Sequence, residues 1–214
     1  PPLLIKERGN EGERSHQQCC ISPLWDTPWA CRALLESGIP PEDPALQKAA
    51  RFLISRQITE RKGDWAIKNP QGIPGGWAFE FENDFFPDVD DTIEILKFIK
   101  DVSLPEAEKR PALDRGIAWL LSMQSRNGGW AAFDKDNLSR WVNRIPFSDH
   151  GACLDPPTPD ITARVLELFS GLGLDRKDSR INKALSFLSR SQEGFGPWRG
   201  RWGVNFIYGT WCVL

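Results

Sequence analysis

The sequence predicts an all-α fold in which pairs of helices stack side by side into an α/α toroid. Three observations lead to this prediction. A segment with an apolar helical stripe occurs three times at a regular spacing, further amphipathic segments lie between the copies, and no segment has the alternating pattern of a β-strand. In stacked helix pairs of this kind, inner helices line a cavity and outer helices shield it from solvent.

The repeated segment contains a basic residue, a small residue and an aromatic–aliphatic pair, and a glutamine follows the basic residue by nine positions in every copy. The copies begin at Lys48, Arg115 and Lys183, which are 67 and 68 residues apart. This pattern predicts a helix with one apolar face that ends at a glycine-containing turn. We expect the glutamine to bond the start of a neighbouring helix and a tryptophan to stack on it. The tryptophans assigned to the three copies are Trp65, Trp130 and Trp198, and we interpret them as structural.

A second set of amphipathic helices is predicted to alternate with the copies, one before each copy, at residues 29–35, 92–100 and 161–169. Breaks that contain prolines, at residues 39–41 and 155–157, separate helices from one another. The chain therefore alternates repeat helices with helices of a second kind, as the inner and outer layers of a toroid require.

Composition excludes some classes of function. The 214 residues have a net charge of -2 and a calculated pI of about 5.8, and the basic residues are scattered, which argues against a nucleic-acid partner. The five cysteines form no CxxC pair and have no histidine partners at zinc spacing, so we expect a reduced, cytoplasmic setting. No apolar run approaches the roughly 18 residues of a transmembrane helix.

Three carboxylates fall within four residues at Asp88, Asp90 and Asp91, next to aromatic side chains. The run lies at the predicted start of a helix, where a single aspartate would be enough for an N-cap. Three carboxylates beside apolar rings repel one another, so we expect the group to hold or share a proton. The helix dipole favours the anion and makes a protonated aspartate a stronger acid, which suits proton transfer to a weak base such as an alkene.

A second acidic segment covers residues 155–164. Thr158 is predicted to cap a helix whose first turn begins at Pro159. Asp160 and Arg164 are then i,i+4 neighbours on one helix face. Two interpretations remain open from the residues alone, namely an ordinary surface pair or a polar shell that orients and acidifies Asp90.

These residues together resemble the squalene–hopene cyclases, which are class II triterpene cyclases. The run at 88–91 is similar to the DxDD proton-donor motif of that family, and the three repeats resemble its QW motifs. Residues 22–27, 200–205 and 208–210 also resemble family segments, and the resemblance covers residues 19–214. Oxidosqualene cyclases carry an Asp-Cys-Thr-Ala-Glu type motif in place of DxDD, so the run argues against that related family.

The resemblance implies an isomerase that needs no cofactor and no metal ion. Asp90 would act as general acid on the terminal double bond of squalene, and carbocations would then close successive rings to give pentacyclic hopanoids, hopene or hopanol. Asp88 and Asp91 would hold Asp90 in its geometry and share the charge. The supporting acid network would consist of Asp160, Arg164 and Asp155, acting through water.

The resemblance also implies an aromatic cavity whose ring faces stabilise cations. Its wall would be formed by Trp25, Phe79, Phe86, Phe133, Trp202 and Tyr208. Phe147 and Ser148 would lie near the substrate entrance. Arg164 stands where we expect histidine in the best-known members, and Phe86 and Phe133 stand where we expect tyrosine. Because arginine stays charged and cannot relay a proton, we expect its role to be electrostatic.

The family fold implies that residues 19–214 are part of the catalytic α/α barrel of a longer, two-domain cyclase. Residues 1–18 do not match the family and are polar, which predicts a loop or disordered segment. We expect this part alone to be inactive, because a half-closed toroid cannot exclude water from a carbocation. The expected partners are squalene and, through other parts of the protein, a lipid surface, with a homodimer allowed. The expected location is the cytoplasmic side of a bacterial membrane, as a peripheral or monotopic protein.

Several other classes of protein share individual features. A class II diterpene cyclase also carries DxDD, but it would need a basic patch for a diphosphate, and no such patch stands out. A carbohydrate-active α/α toroid would use tryptophans and paired carboxylates, but the aromatic residues here are mostly phenylalanine. A prenyltransferase subunit would need zinc ligands, and a non-catalytic helical scaffold would leave the three aspartates unexplained.

Overall fold

Helices make up most of the part of the chain that the structure describes, and the prediction of an all-α fold is confirmed. The structure is a computed structural model that describes residues 21–80, 83–138, 154–203 and 206–214. Within these ranges, no helix combines the length and the apolar character needed to cross a membrane. The elements in chain order are α1 (Pro23–Glu36), α2 (Pro44–Ser55), α3 (Asp64–Lys68), β1 (Trp77–Ala78), β2 (Pro87–Asp88), α4 (Val89–Asp101), α5 (Glu106–Ser122), α6 (Pro159–Gly171), α7 (Ser179–Arg190) and α8 (Ile207–Val213).

The helices are arranged in two layers. In the inner layer, α4 packs between α1 and α6, and α6 in turn packs against α8. In the outer layer, α2 covers α1 and α4, α5 covers α4, and α7 covers α6. The three repeat copies form the outer helices α2, α5 and α7, and the segments predicted to alternate with them form α1, α4 and α6. Both predicted sets of helices are therefore confirmed.

The inner helix α4 is buried from Val89 to Ile99, although this stretch contains two aspartates, a glutamate and a lysine. Such burial is possible only where charged side chains meet partners, because an unpaired charge inside a protein is costly. The same is true of α6, in which Asp160 and Arg164 are buried with the apolar residues. The two central helices therefore carry polar groups that face each other rather than solvent.

Two short strands precede α4 and hold its start in place. β1 and β2 pair antiparallel, with Trp77 opposite Asp88. A single bridge between Trp130 and Thr158 repeats this arrangement ahead of α6. Strands of two residues are too short to produce an alternating pattern, so sequence analysis could not detect them.

The same pair of tryptophan hydrogen bonds recurs in all three repeats and joins each outer helix to the inner helix that follows it. The indole N–H of a tryptophan donates to a leucine carbonyl of the outer helix, from Trp77 to Leu53 at 2.7 Å, from Trp130 to Leu120 at 2.7 Å and from Trp198 to Leu188 at 2.8 Å. The backbone N–H of the same tryptophans donates to a threonine hydroxyl of the inner helix, Thr92 at 3.0 Å, Thr162 at 3.0 Å and Thr210 at 3.1 Å. Each repeat thus fixes where its inner helix begins.

The tryptophan that makes these hydrogen bonds in the first repeat is Trp77, and the assignment of Trp65 to that repeat was wrong. Trp65 lies on α3, inside an insertion, and packs edge-on against Trp119 with ring centroids 6.1 Å apart. Trp77 follows two glycines, as Trp130 does, but it lies farther from Gln57 than the tryptophans of the other copies lie from their glutamines. The insertion places Trp65 eight residues after Gln57, close to the six-residue spacing of the other copies, and so it hid the equivalent tryptophan.

Two of the three repeat glutamines, Gln57 and Gln124, tie neighbouring outer helices together, whereas Gln192 donates to Gly196 in the turn that follows it. The amide N–H₂ of Gln57 donates to the carbonyls of Gly75, at 2.7 Å, and Ala112, at 2.9 Å. The Gln124 amide likewise donates to Gly128 and to Arg180 in the first turn of α7, both at 2.9 Å. The prediction that these glutamines bond the start of a neighbouring helix is confirmed for Gln124, and Gln57 reaches a carbonyl early in α5.

The close approach at Gly75 yields a test of this packing. A Cβ atom at this position would lie 2.3 Å from the carbonyl oxygen of Arg115, so Gly75→Ala must displace backbone. We expect the free energy of unfolding of the full-length protein to fall by about 1–3 kcal/mol, measured by urea denaturation. Gly194→Ala is the control, because no heavy atom of the described residues lies within 4 Å of a Cβ placed at this position. Equal free energies of unfolding for the two variants would contradict the close packing of Gly75 against Arg115.

Candidate active site

A cavity of about 730 Å³ opens near the N-terminal ends of α1, α4 and α8. Its wall is largely apolar and aromatic, with a few polar groups. The aromatic residues of the wall are Trp25, Phe79, Phe86, Phe133, Trp202 and Tyr208, and its polar residues include Asp88, Asp90 and Asp91 together with Glu80 and Asn83. The structure therefore brings together all six predicted aromatic residues and the three predicted acids. Their chemical roles stay predictions.

The acidic run lies at the start of α4, as predicted. Asp88 is the N-cap, and its Oδ1 accepts a hydrogen bond of 2.6 Å from the backbone N–H of Asp90. Asp90 and Asp91 occupy the first turn and are 3% and 1% exposed. Capping accounts for one of the three aspartates, so the other two are buried at a cost that capping does not offset.

Burial raises the pKa of all three carboxyl groups. For Asp88, burial and the charges of Asp91 and Asp90 hold the pKa well above its ordinary value. For Asp91, burial and the neighbouring Asp90 raise the pKa to about 8, against the opposing charge of Arg164. The Oδ1 atom of Asp91 is buried without a hydrogen-bond partner among the described residues. The run is thus expected to carry at least one proton at neutral pH.

Asp90 differs from its neighbours because both of its oxygens accept hydrogen bonds. Oδ1 accepts from Arg164 Nη1 at 2.5 Å, and Oδ2 accepts from the indole Nε1 of Trp202 at 2.9 Å. Burial raises the pKa of Asp90, the Arg164 charge opposes that rise, and the value settles at about 6. Among the three acids, the conjugate base of Asp90 is therefore stabilised the most, although the group can still hold a proton in weakly acidic conditions.

Asp160 and Asp155 support the site indirectly. Asp160 is fully buried, and its Oδ2 accepts hydrogen bonds from the backbone N–H groups of Arg201, at 2.7 Å, and Trp202, at 3.4 Å. Asp155 Oδ1 lies 2.7 Å from Arg201 Nε, an ion pair whose alignment does not suit a hydrogen bond, and its Oδ2 accepts from the Ala132 N–H at 2.8 Å. The two aspartates thus hold the loop that presents the Trp202 indole to Asp90.

Arg164 does not pair with Asp160 one turn earlier on α6. It is 3% exposed, so the alternative of an ordinary surface pair is wrong. Its Nη1 instead donates across to Asp90 and, at 3.3 Å, to the hydroxyl of Tyr208. Its guanidinium carbon lies 5.4 Å from the ring centroid of Trp25. Arg164 therefore belongs to the wall behind the cavity, where its charge acts on Asp90.

Thr158 occupies the N-cap position of α6, as predicted, and Pro159 begins the helix. Its side chain makes no capping hydrogen bond.

The cap of α1 contacts the cavity wall directly. Ser22 Oγ accepts a hydrogen bond from the Trp25 N–H at 2.9 Å and donates one to the carbonyl of Phe79 at 2.5 Å. Ser22 thus fixes two aromatic residues of the wall relative to each other.

Sequence analysis missed Glu94, which is fully buried one helical turn after Asp90. Its Oε1 accepts a hydrogen bond of 2.7 Å from Arg164 Nη2, and its Oε2 accepts one of 2.5 Å from Arg32 Nη1. The available signal was its i,i+4 spacing from Asp90, which places both carboxylates on one face of α4. The predicted entrance residues Phe147 and Ser148 lie outside the described residues.

The raised pKa of Asp91 predicts how stability depends on pH. Because the folded protein holds the Asp91 proton up to about pH 8, against about 3.8 in an unfolded chain, this group favours folding less and less as the pH rises between these values. Asp91→Asn removes that dependence. We therefore expect the free energy of unfolding of the variant minus that of wild type to be about 1–3 kcal/mol larger at pH 8 than at pH 5, which means that the substitution stabilises the protein more at the higher pH.

Denaturation of the full-length protein at both pH values measures this difference. Asp114→Asn is the control, because its carboxylate is half-exposed and already hydrated. A stability gap between wild type and Asp91→Asn that stays constant from pH 5 to pH 8 would contradict a protonated Asp91.

Residues 21–214 match the model of a protein family described as the squalene-hopene cyclase C-terminal domain. The chain is 45% identical to a squalene-hopene cyclase of Schizosaccharomyces japonicus, covering 99% of this chain and 32% of the relative. It is 47% identical to a squalene-hopene cyclase of Alicyclobacillus acidocaldarius, over 92% of this chain and 31% of the relative. It is also 47% identical to a dammaradiene synthase of Dryopteris crassirhizoma, over 92% and 30%. The chain thus spans about a third of the length of the curated relatives it matches.

Proposed function

Because the chain belongs to the squalene-hopene cyclase family, with its α/α toroid fold, we propose that it forms part of the catalytic barrel of a triterpene cyclase that acts on squalene. The reaction is a proton-initiated polycyclisation that yields pentacyclic hopanoids. One observation supports this proposal most strongly, namely a carboxyl group of raised pKa that faces an aromatic cavity with few polar groups.

Asp90 is the proposed general acid. The π electrons of the terminal double bond take the Asp90 proton and form a C–H bond at one of its carbons. The other carbon becomes a tertiary cation. Asp90 is left as a carboxylate, which Arg164 and the Trp202 indole stabilise by hydrogen bonds. Asp88 and Asp91 cannot match it as donors, because their anions have fewer partners, and they act instead as a store of protons beside it.

Each ring closure forms a carbon–carbon bond from the next double bond to the cation and moves the positive charge along the chain. The aromatic faces around the cavity attract that charge without offering a nucleophile. Phe86 and Phe133 lack the hydroxyl that we expected at their positions but keep the ring face. Tyr208 stays neutral, because burial raises the pKa of its hydroxyl above the ordinary value. Loss of a proton from the last cation gives hopene, whereas addition of water to that cation followed by loss of a proton from the added water gives hopanol.

The activity is proposed for the full-length protein, of which this chain supplies the acid and one part of the wall. Squalene is a hydrocarbon that partitions into lipid, so the proposal includes contact with a membrane surface through other parts of the protein, on the cytoplasmic side. The protein would need no metal ion, since the proton comes from a side chain.

The first test is Asp90→Asn in the full-length protein, supplied with squalene in mild detergent. Asparagine keeps the shape of the side chain but has no proton of comparable acidity, so we expect turnover to fall by about 10²–10⁴-fold. Products are measured by gas chromatography and mass spectrometry. Asp101→Asn, at the exposed C-terminal end of the same helix, is the matched control and should retain activity.

The outcomes separate the proposals. Pentacyclic products that disappear only in Asp90→Asn support both the reaction and the donor. Wild-type turnover that survives Asp90→Asn would remove Asp90 as donor but keep the reaction. No turnover of squalene by the wild type would reject the proposed substrate, and a diterpenoid diphosphate would then be tested.

A second prediction separates the hydrogen bond of Trp202 from its ring. The indole N–H lowers the pKa of Asp90, and Trp202→Phe removes this donor but keeps an aromatic face. We expect the pH at which activity is half lost on the alkaline side to rise by about 0.5–1 unit, measured from rates of squalene consumption. Trp65→Phe, outside the cavity, should leave this midpoint in place. An unchanged midpoint in Trp202→Phe would show that the indole does not control the acid.

A further inference from the structure

We propose that Glu94 is a positioning residue for the proton donor. It holds the guanidinium of Arg164 against Asp90 and offsets its positive charge, so that Asp90 can keep a proton until it is needed. The role of that proton rests on the proposed function, whereas the charge relation is a property of the described residues themselves. Glu94 does not line the cavity, so it acts on Asp90 through its contact with Arg164 and through its own charge, without touching a bound substrate.

The geometry places Arg164 between two carboxylates of one helix. Its Nη1 donates to Asp90 Oδ1 at 2.5 Å, and its Nη2 donates to Glu94 Oε1 at 2.7 Å. Because the guanidinium is planar and rigid, fixing one nitrogen on Glu94 also fixes the direction of the other toward Asp90. Arg164 comes from α6 and both carboxylates come from α4, so the bridge also sets how these two helices meet.

Charge balance makes Glu94 necessary. Arg164 is 3% exposed and Asp90 is equally buried, so little water screens their attraction. An arginine that faced Asp90 alone would hold that group as a carboxylate, which cannot donate a proton. A second carboxylate on the same guanidinium weakens this effect, and the Glu94 charge raises the pKa of Asp90 accordingly. The balance also matters later, since an uncompensated guanidinium would repel the cation formed in the cavity.

Glu94 is held in its ionised form by three cations. Burial alone would raise its pKa, but the charges of Arg164 and Lys97, the hydrogen bond from Arg164 and the charge of Arg32 together lower it. Lys97 Nζ lies 3.3 Å from Glu94 Oε1 and 2.5 Å from Glu167 on the protein surface. The charged and titratable groups that face Asp90, Arg164 and Glu94 are Asp88, Asp91 and Lys97 from β2 and α4, Arg32 from α1, Asp160 from α6, and Tyr208 and Cys212 from α8. Glu167 of α6 contacts Lys97 at the surface.

The test is Glu94→Gln in the full-length protein. Glutamine can still accept a hydrogen bond from Arg164 but carries no charge, so Asp90 should lose its proton at a lower pH. We expect the alkaline midpoint of squalene turnover to fall by about one unit, which is a roughly tenfold lower rate at pH 8 and a smaller loss at pH 5. Glu167→Gln removes the exposed carboxylate of the same ion-pair chain and should leave the midpoint unchanged.

A readout without substrate separates this inference from the proposed function. The infrared band of a protonated carboxyl group, assigned to Asp90 by its loss in Asp90→Asn, is titrated in wild type and in Glu94→Gln. A lower midpoint in the variant supports the charge relation even if squalene is not turned over, in which case only the proposed function fails. An unchanged infrared midpoint, or turnover reduced equally at every pH, would overturn the proposal and leave Glu94 a structural residue.

If Glu94→Gln does not fold, the same comparison is made in Arg164→Gln. In that background Glu94 still has Arg32 and Lys97 as partners, so the carboxylate is not left unpaired. Asp90 should titrate at a higher pH in Arg164→Gln than in wild type, and the double variant Glu94→Gln with Arg164→Gln should titrate below the single Arg164→Gln variant. Equal midpoints in the single and double variants would overturn the proposal.

Discussion

The buried contact between Arg164 and Asp90 is the interaction on which the rest of the site depends. A charge inside a protein must be paired, and an arginine cannot escape this requirement by losing its proton. The contact joins the two central helices, sets the acidity of the carboxyl group that faces the cavity, and places a cation behind the aromatic wall. One ion pair thus links the placement of α6 on α4, which a shared apolar core also holds, with the acidity of the group that faces the cavity.

The repeats explain how these groups meet at one end of the inner layer. In each repeat a threonine of the inner helix bonds the repeat tryptophan, and the residue two positions earlier points toward the site. Those residues are Asp90, Asp160 and Tyr208. Two positions after each threonine come Glu94, Arg164 and Cys212. A repeated scaffold thus delivers different side chains to equivalent positions, and asymmetric chemistry arises from symmetric packing.

The cavity combines two requirements that normally oppose each other. A carboxyl group keeps its proton most easily where water and dipoles are few, whereas an acid strong enough for an alkene needs a stabilised anion. The surroundings of the proposed donor Asp90 have both features, because apolar rings surround the cavity while the indole of Trp202 and the guanidinium of Arg164 reach Asp90 from the wall. Asp160 and Asp155 contribute by holding the loop that carries Trp202.

The sequence by itself determined the helices and the acidic helix start, because each is encoded within a few residues as a period or a cap. The aromatic residues of the wall were named only through the resemblance to a family, since nothing local distinguishes them from core residues. It could not determine partners that come from different helices. Arg164 pairs with Asp90 rather than with Asp160 one turn away, and Glu94 is buried among cations from α1 and α6, since helix packing decides which faces meet. Trp77 replaces Trp65 in the first repeat for the same reason, because its hydrogen bonds to Leu53 and Thr92 identify it in the folded chain.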